Sequence, residues 1–178
     1  IIHEAFAMKL LQVFDDVISV QTQDVIEQIL LKRRRFPYHF LNDITTAANY
    51  EKDITERSIG FSHLLWHELD REKSPFYDIL MHPLYEFCFK QNNYINNVVQ
   101  ARTFLHIPLP QEIRRDRNTP HVDLEFPHLV FLYYVNDSEG DTIFFKDSTC
   151  TEVIEQVTLK KGRVALFDGS IYHCSSSP

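Results

Sequence analysis

The second half of the chain is divided into short β-type runs, and this pattern constrains the fold more strongly than any other feature of the sequence. The runs are rich in β-branched and aromatic residues, and turn pairs such as Asn136-Asp137 and Asp168-Gly169 separate them. The seven predicted strands span residues 98–108, 119–124, 128–136, 142–146, 151–159, 163–167 and 171–174. Short strands in such a series are typical of a sandwich or a barrel.

Helical periodicity is restricted to the first half of the chain. After a predicted N-cap at Thr22, apolar residues repeat at helical spacing until Phe36-Pro37 stops them. A second helical region is predicted from Ser74-Pro75 onward, and Pro83 must kink or restart it.

The order of these elements, with helices first and strands afterwards, favours helices packed on one face of an antiparallel double sheet. We therefore expect a mainly β fold with N-terminal helices, namely a double-stranded β-helix, or jelly roll, supported by helices. It is predicted as a single domain with helical support over about 1–96 and a jelly-roll core over about 97–178 that lacks its last strand.

Composition limits the class of protein. With 178 residues, 44% of them hydrophobic, the chain is long enough to bury a core without disulfides. The three cysteines, Cys88, Cys150 and Cys174, are an odd number without C-x-x-C spacing, which indicates reduced thiols in a cytoplasm. No apolar run approaches the ~20 residues of a membrane span, so no membrane partner is expected.

The charge balance bears on the partners. A net charge of −7 disfavours broad contact with a nucleic-acid backbone. Two basic runs oppose this trend. Lys32-Arg33-Arg34-Arg35 is interpreted as a helix end, where positive charge stabilises the last carbonyls. Arg114-Arg115-Asp116-Arg117 lies in a polar loop and is open either to this solvated interpretation or to contact with an anionic substrate.

One pair of residues points to metal chemistry. Residues two apart on a strand share a face, so His121 and Asp123 can bind one ion together, and His173 can join them from a later strand. Two histidines and one carboxylate that leave the opposite side of the ion open are typical of non-haem Fe(II) oxygenases. With nine histidines and 25 acidic residues in the chain, about one His-x-Asp/Glu is expected by chance, so the context of the motif decides.

That context is a series of motifs in a fixed order. They are His121-Val122-Asp123, Leu132-Tyr133-Tyr134-Val135-Asn136, Gly140-Asp141-Thr142-Ile143-Phe144-Phe145, and the segment from Lys161-Gly162-Arg163 to His173. In order and spacing they resemble the Fe(II)/2-oxoglutarate-dependent oxygenases over roughly the last 60 residues, in particular the prolyl-4-hydroxylase-like branch and its phage-encoded members.

The resemblance implies a hydroxylase that uses Fe(II), 2-oxoglutarate and O2 and releases succinate and CO2. His121, Asp123 and His173 are then the metal ligands and the catalytic residues. Tyr134 matches a tyrosine that hydrogen-bonds the distal carboxylate of 2-oxoglutarate, and Thr142 matches a threonine that lines the same pocket. For a phage-encoded member the compartment is the host cytoplasm.

The family also places an Arg or Lys about nine residues after its second metal histidine, and this position falls beyond Pro178. Arg102 is the predicted substitute because it shares a strand face with Phe104 and His106, just before the metal motif. His106 lies near a pocket position of the family. Arg102 and His106 are therefore predicted to bind the cosubstrate together with Tyr134 and Thr142.

Three alternatives stay open at this point. His121 and Asp123 can form a hydrogen-bonded pair that only fixes a strand end. The chain can be a non-catalytic jelly-roll module that binds a metal or another ligand. It can also be a zinc hydrolase with Glu125 as general base. The substrate is equally open, with prolyl peptides as the nearest analogy and small molecules as the other class.

Overall fold

The computed structural model describes residues 10–45, 53, 57–112 and 116–176, and strands make up most of the regular structure in these residues. Their ten strands are β1 (Leu11–Phe14), β2 (His39–Leu41), β3 (Gly60–His67), β4 (Glu72–Lys73), β5 (Gln100–Leu105), β6 (Leu129–Tyr133), β7 (Asp141–Phe145), β8 (Val153–Thr158), β9 (Val164–Asp168) and β10 (His173–Ser175). The helices are α1 (Val20–Glu27), which continues into a π-helical turn (Gln28–Lys32), α2 (Tyr77–Leu80) and α3 (His82–Lys90).

The strands form three antiparallel sheets, which we name after their central strands. In the β9 sheet, β9 lies between β1 and β6. In the β7 sheet, β7 lies between β10 and β8. In the β3 sheet, β3 pairs with β2, β4 and β5. The predicted mainly β class is therefore confirmed, although none of the three sheets closes on itself within the described part of the chain.

The β9 and β7 sheets share one apolar core. Phe144 of β7 and Phe167 of β9 are both fully buried, and their rings meet edge to face with centroids 4.9 Å apart. Tyr134, Val157 and Ile171 complete the buried cluster around them. Because both sheets contribute to this cluster, burial of apolar surface holds them against each other.

The helices cover the remaining apolar faces. Leu65 of β3 packs with Ile26 and Leu30 from the α1 region and with Leu80 of α2. Phe87 of α3 packs in a second cluster with Val164 of β9. Among the described residues, no helix combines the length and the apolar character that a bilayer crossing would take.

The helix starts differ in detail from the prediction. The N-cap of α1 is Ser19 rather than Thr22, and Ser19 Oγ accepts the backbone N–H of Thr22 at 3.4 Å. The carboxylate of Glu86 accepts both the backbone N–H and the hydroxyl of Ser19, so α3 fixes the point where α1 begins. The restart near Pro83 is confirmed, since Pro83 lies in the first turn of α3.

Two strand predictions need correction. Residues 119–124 do not form a strand, and only His121 makes an isolated bridge there. The region before residue 97 is not purely helical support either, because it contains β1 to β4. The sequence of β3 hides its strand character, since the register shifts by a bulge between Leu64 and Trp66 and breaks the alternation of buried and exposed residues.

The end of β1 is tied down by an ion pair that gives a pH-dependent prediction. Arg163 donates to both carboxylate oxygens of Asp15, from Nε at 2.8 Å and from Nη2 at 2.9 Å, and Lys160 Nζ lies 3.2 Å from Oδ2. The hydrogen bonds from Arg163 lower the pKa of Asp15 to about 2. A lowered pKa in the folded state means that the ionised carboxylate stabilises the fold above the unfolded pKa near 3.8, and that this stabilisation is lost as the pH falls further.

We therefore expect Asp15→Asn to lower the free energy of unfolding by a constant amount near neutral pH and by less below about pH 4. Urea denaturation of both proteins from pH 7 to pH 3 measures this difference. Glu139→Gln is the control, because Glu139 is an exposed carboxylate whose side chain makes no hydrogen bond or ion pair with a described residue. A difference for Asp15→Asn that stays constant down to pH 3 would contradict the assignment.

Candidate metal centre

The backbone brings two distant histidines side by side. His121 and His173 form an antiparallel bridge in which each backbone N–H donates to the carbonyl of the other at 3.0 Å. Asn118 reinforces the pairing, since its backbone N–H donates to the carbonyl of Ser175 at 2.8 Å. The two imidazole rings consequently lie with centroids 4.8 Å apart. The segment before His121 thus extends the β7 sheet along the free edge of β10.

Asp123 completes the group. Its Oδ2 lies 3.6 Å from Nε2 of His173. One ligand atom from each of His121, Asp123 and His173 lies within 4.8 Å of the others, a spacing suited to a shared ion. The structure therefore brings together the three residues that the sequence predicts as metal ligands, although residues 119–124 are not a regular strand.

Both imidazoles are held in the same way. Nδ1 of His121 lies 3.0 Å from the carbonyl oxygen of Thr119, and Nδ1 of His173 lies 3.0 Å from that of Ile171. A carbonyl oxygen only accepts, so each Nδ1 carries a proton and donates it, and in a neutral imidazole the lone pair then lies on Nε2. In both cases the acceptor is two residues before the histidine, a support of the kind that usually orients metal-binding imidazoles.

Burial favours the neutral form of His173. Burial lowers the pKa of its imidazole, since the site disfavours the charged form. The ring is packed by Phe167 at 4.9 Å and by Phe144 at 6.1 Å between centroids. Two neutral imidazoles and a carboxylate are a donor set that fits Fe(II), Zn²⁺ and other divalent first-row metals. The residues present are thus chemically suited to such an ion.

Arg102 lies beside the carboxylate of Asp123. Its Nη2 donates to Oδ1 of Asp123 at 2.7 Å, and its guanidinium carbon lies 4.7 Å from the ring centroid of Phe104. The structure thus places Arg102 next to a predicted metal ligand. His106 follows on the same side of the chain, 6.4 Å from the Phe104 ring, and burial lowers the pKa of its imidazole.

Tyr134 and Thr142 form a buried pair. The phenol of Tyr134 donates to Oγ1 of Thr142 at 2.8 Å, and burial raises the pKa of the phenol to about 12. Thr142 precedes Phe144 by two residues on β7, and Phe144 is the strand partner of His173. Two residues on a strand correspond to about 7 Å, so the pair lies a short way along the sheet from the histidines. Tyr133, its neighbour in the chain, packs instead against the two clusters around Leu65 and around Phe87.

The remaining candidate residues lie elsewhere. Glu125 is exposed. Arg114 and Arg115 lie outside the described residues, whereas the guanidinium of Arg117 lies over the ring of Phe145 at 5.1 Å. A cavity of about 410 Å³ opens beside β3, and none of the three metal-ligand candidates lines it.

The supporting groups of the site were not visible to sequence reasoning. The carbonyls of Thr119 and Ile171 belong to the backbone and have no residue signature. Phe144 and Phe167 belong to the buried core cluster, and their rings also lie against the imidazole of His173. The position of each histidine two residues after its carbonyl partner is a local feature that only the structure shows.

Neither a family model, nor a curated protein, nor a solved structure matches the chain.

Proposed function

We propose that the protein is an Fe(II)- and 2-oxoglutarate-dependent dioxygenase that hydroxylates a peptide or small-molecule substrate and releases succinate and CO2. The observation that carries the proposal is the convergence of ligand atoms from His121, Asp123 and His173 within 4.8 Å, with Nδ1 of both imidazoles directed at backbone carbonyls. A facial set of two imidazoles and one carboxylate leaves positions of the ion open for a cosubstrate and O2.

A jelly roll is the fold that we propose for the β core. The chain visits the β9 sheet with β6, the β7 sheet with β7 and β8, the β9 sheet again with β9, and the β7 sheet again with β10. Repeated crossing between two facing antiparallel sheets supports a jelly roll over two independent meanders. The shared cluster around Phe144 and Phe167 is the packing that such a double sheet requires.

In this proposal the three ligands would hold Fe(II), which would supply the site where 2-oxoglutarate and O2 meet and would activate O2, the oxidant, for insertion of oxygen into a C–H bond. The contribution of the chain is geometric. The two backbone-anchored imidazoles present fixed lone pairs, and Phe144 and Phe167 keep water away from the inner side of His173.

We propose that the Tyr134–Thr142 pair binds the distal carboxylate of 2-oxoglutarate. Each hydroxyl carries a proton that a carboxylate can accept, and at present the phenol donates to Thr142. The pair lies about 7 Å along β7 from the strand partner of His173, a distance that a five-carbon dicarboxylate can span. Both side chains are buried, so hydrogen bonds to a charged acceptor are strong there.

Turnover of the cosubstrate tests the proposal without knowledge of the substrate. With Fe(II), ascorbate and 2-oxoglutarate in air, we expect slow formation of succinate that stops when a chelator is added. The measurement is succinate by mass spectrometry against a sample without protein. Metal content of protein purified without oxygen separates the rivals. Metal binding without succinate formation would favour a binding module. Tightly bound zinc in a protein that has no affinity for 2-oxoglutarate would favour a hydrolase.

A further inference from the structure

We propose that Arg102 is a positioning residue that restricts Asp123 to a single ligand oxygen, an inference that rests on the proposed function. The sequence suggests a different role for Arg102, as the partner of the cosubstrate carboxylate. The structure instead places its guanidinium against the carboxylate of a metal-ligand candidate, at 2.7 Å.

The two oxygens of Asp123 are already distinguished. Oδ1 accepts the N–H of Arg102, and Oδ2 is turned toward His173, 3.6 Å from its Nε2. A hydrogen bond between an ionised donor and an ionised acceptor at this length is among the stronger kinds in proteins. The guanidinium thus engages one lone pair of Oδ1 and its positive charge disfavours a cation there, and Oδ2 is the oxygen presented to an ion.

Arg102 is itself held in place. Its guanidinium lies over the ring of Phe104, 4.7 Å from the centroid, and its backbone is paired with Leu64 of β3. A cation over an aromatic face is attracted electrostatically by the ring. The guanidinium thus contacts the Phe104 ring on one side and the Asp123 carboxylate on the other. It needs little rearrangement to maintain its hydrogen bond to Oδ1.

Restriction to one oxygen matters because coordination positions are few. A roughly six-coordinate ion held by three protein atoms keeps three positions, of which a chelating 2-oxoglutarate takes two and O2 takes one. A second oxygen from Asp123 would occupy one of these positions. We infer that Arg102 protects the binding of the cosubstrate rather than the binding of the metal.

If Arg102 has this role, its replacement changes the affinity for the metal and the affinity for 2-oxoglutarate in opposite directions. Loss of its positive charge removes a repulsion from the cation, and release of Oδ1 adds a ligand atom, so metal affinity should stay equal or rise. Affinity for 2-oxoglutarate should fall, since it competes with Oδ1 for a position. A merely structural ion pair would predict a parallel fall in metal affinity and in thermal stability.

The test uses Co(II) as a spectroscopic probe in the absence of turnover. Arg102→Met keeps an unbranched stem over Phe104 but has no donor, and Arg102→Lys keeps the charge and a donor. Arg163→Met is the matched control, because it breaks an arginine–aspartate pair at Asp15 outside the metal-ligand group. The readouts are the Co(II) dissociation constant, the visible Co(II) spectrum, its perturbation by added 2-oxoglutarate, and the melting temperature without metal.

We expect Arg102→Met to bind Co(II) at least as tightly as the original protein, with an altered spectrum, and to bind 2-oxoglutarate about tenfold more weakly or worse. Arg102→Lys should recover most of the affinity for 2-oxoglutarate, and Arg163→Met should leave both ligands unaffected. An unchanged Co(II) spectrum in Arg102→Met, or a loss of Co(II) affinity that parallels the melting temperature, would overturn the inference. Failure of the unmutated protein to bind Co(II) would instead remove the proposed function and the inference together.

Discussion

Replacement of His173 by alanine is expected to abolish both metal binding and succinate formation. The imidazole supplies one of three ligand atoms and is fixed by the carbonyl of Ile171, so its removal leaves an ion with two protein contacts. The loss should exceed the 10–100-fold decrease in affinity that follows removal of a merely supporting residue. Titration with Co(II), followed by visible absorption, measures the affinity, and succinate measures turnover.

The same outcome is expected for His121→Ala, whose ring is less buried, so this variant separates loss of a ligand from loss of packing around His173. His82→Ala is the matched control, because His82 is an exposed histidine at the start of α3 and belongs to no candidate metal group in the described residues. Near-normal Co(II) affinity in both His121→Ala and His173→Ala would show that the convergence of the three residues is not a metal site.

Among the variants proposed here, replacement of Phe167 by alanine is expected to lower the free energy of unfolding most. Its side chain is fully buried, and its ring contacts those of Phe144 and His173, each with centroids 4.9 Å apart. Loss of the ring removes apolar burial and leaves a cavity between the two sheets, which costs about 3–5 kcal/mol of unfolding free energy. Urea denaturation of the metal-free protein measures this value, and part of the population is expected to be unfolded without denaturant.

Phe89→Ala provides the comparison, because the side chain of Phe89 is 87% exposed. Its replacement should change the free energy of unfolding by less than about 0.5 kcal/mol. If Phe167→Ala proved as mild as Phe89→Ala, then the packing between the β9 and β7 sheets would not be the main contact of the fold. A ligand-free measurement is essential here, since a bound metal stabilises the folded state by mass action.

The sequence predicts six strands of the C-terminal half because their runs are rich in β-branched and aromatic residues and are bounded by turn residues. The runs that became β5 to β10 were all assigned to within a few residues. The N-terminal half was predicted less well, because β3 carries a bulge and because β1 completes its ladder with β9, far away in sequence. Local periodicity carries no information on partners that are remote in the chain.

The candidate site was likewise predicted only in part. The grouping of His121, Asp123 and His173 followed from residue types, strand faces and motif order, and the structure places them together. The ion pair between Arg102 and Asp123 could not be predicted from the sequence. The strand face of Arg102 is predictable, but Asp123 lies on an irregular segment after the bridge at His121. Side-chain pairing across such a segment depends on tertiary geometry that no spacing rule contains.

The reciprocal backbone bridge between residues 121 and 173 also determines when the site can exist. In the proposed site the two imidazoles come together only when the segment around His121 pairs with β10, so affinity for a divalent ion depends on that pairing. The appearance of metal affinity in time-resolved refolding would thus report the moment at which the segments around residues 121 and 173 pair.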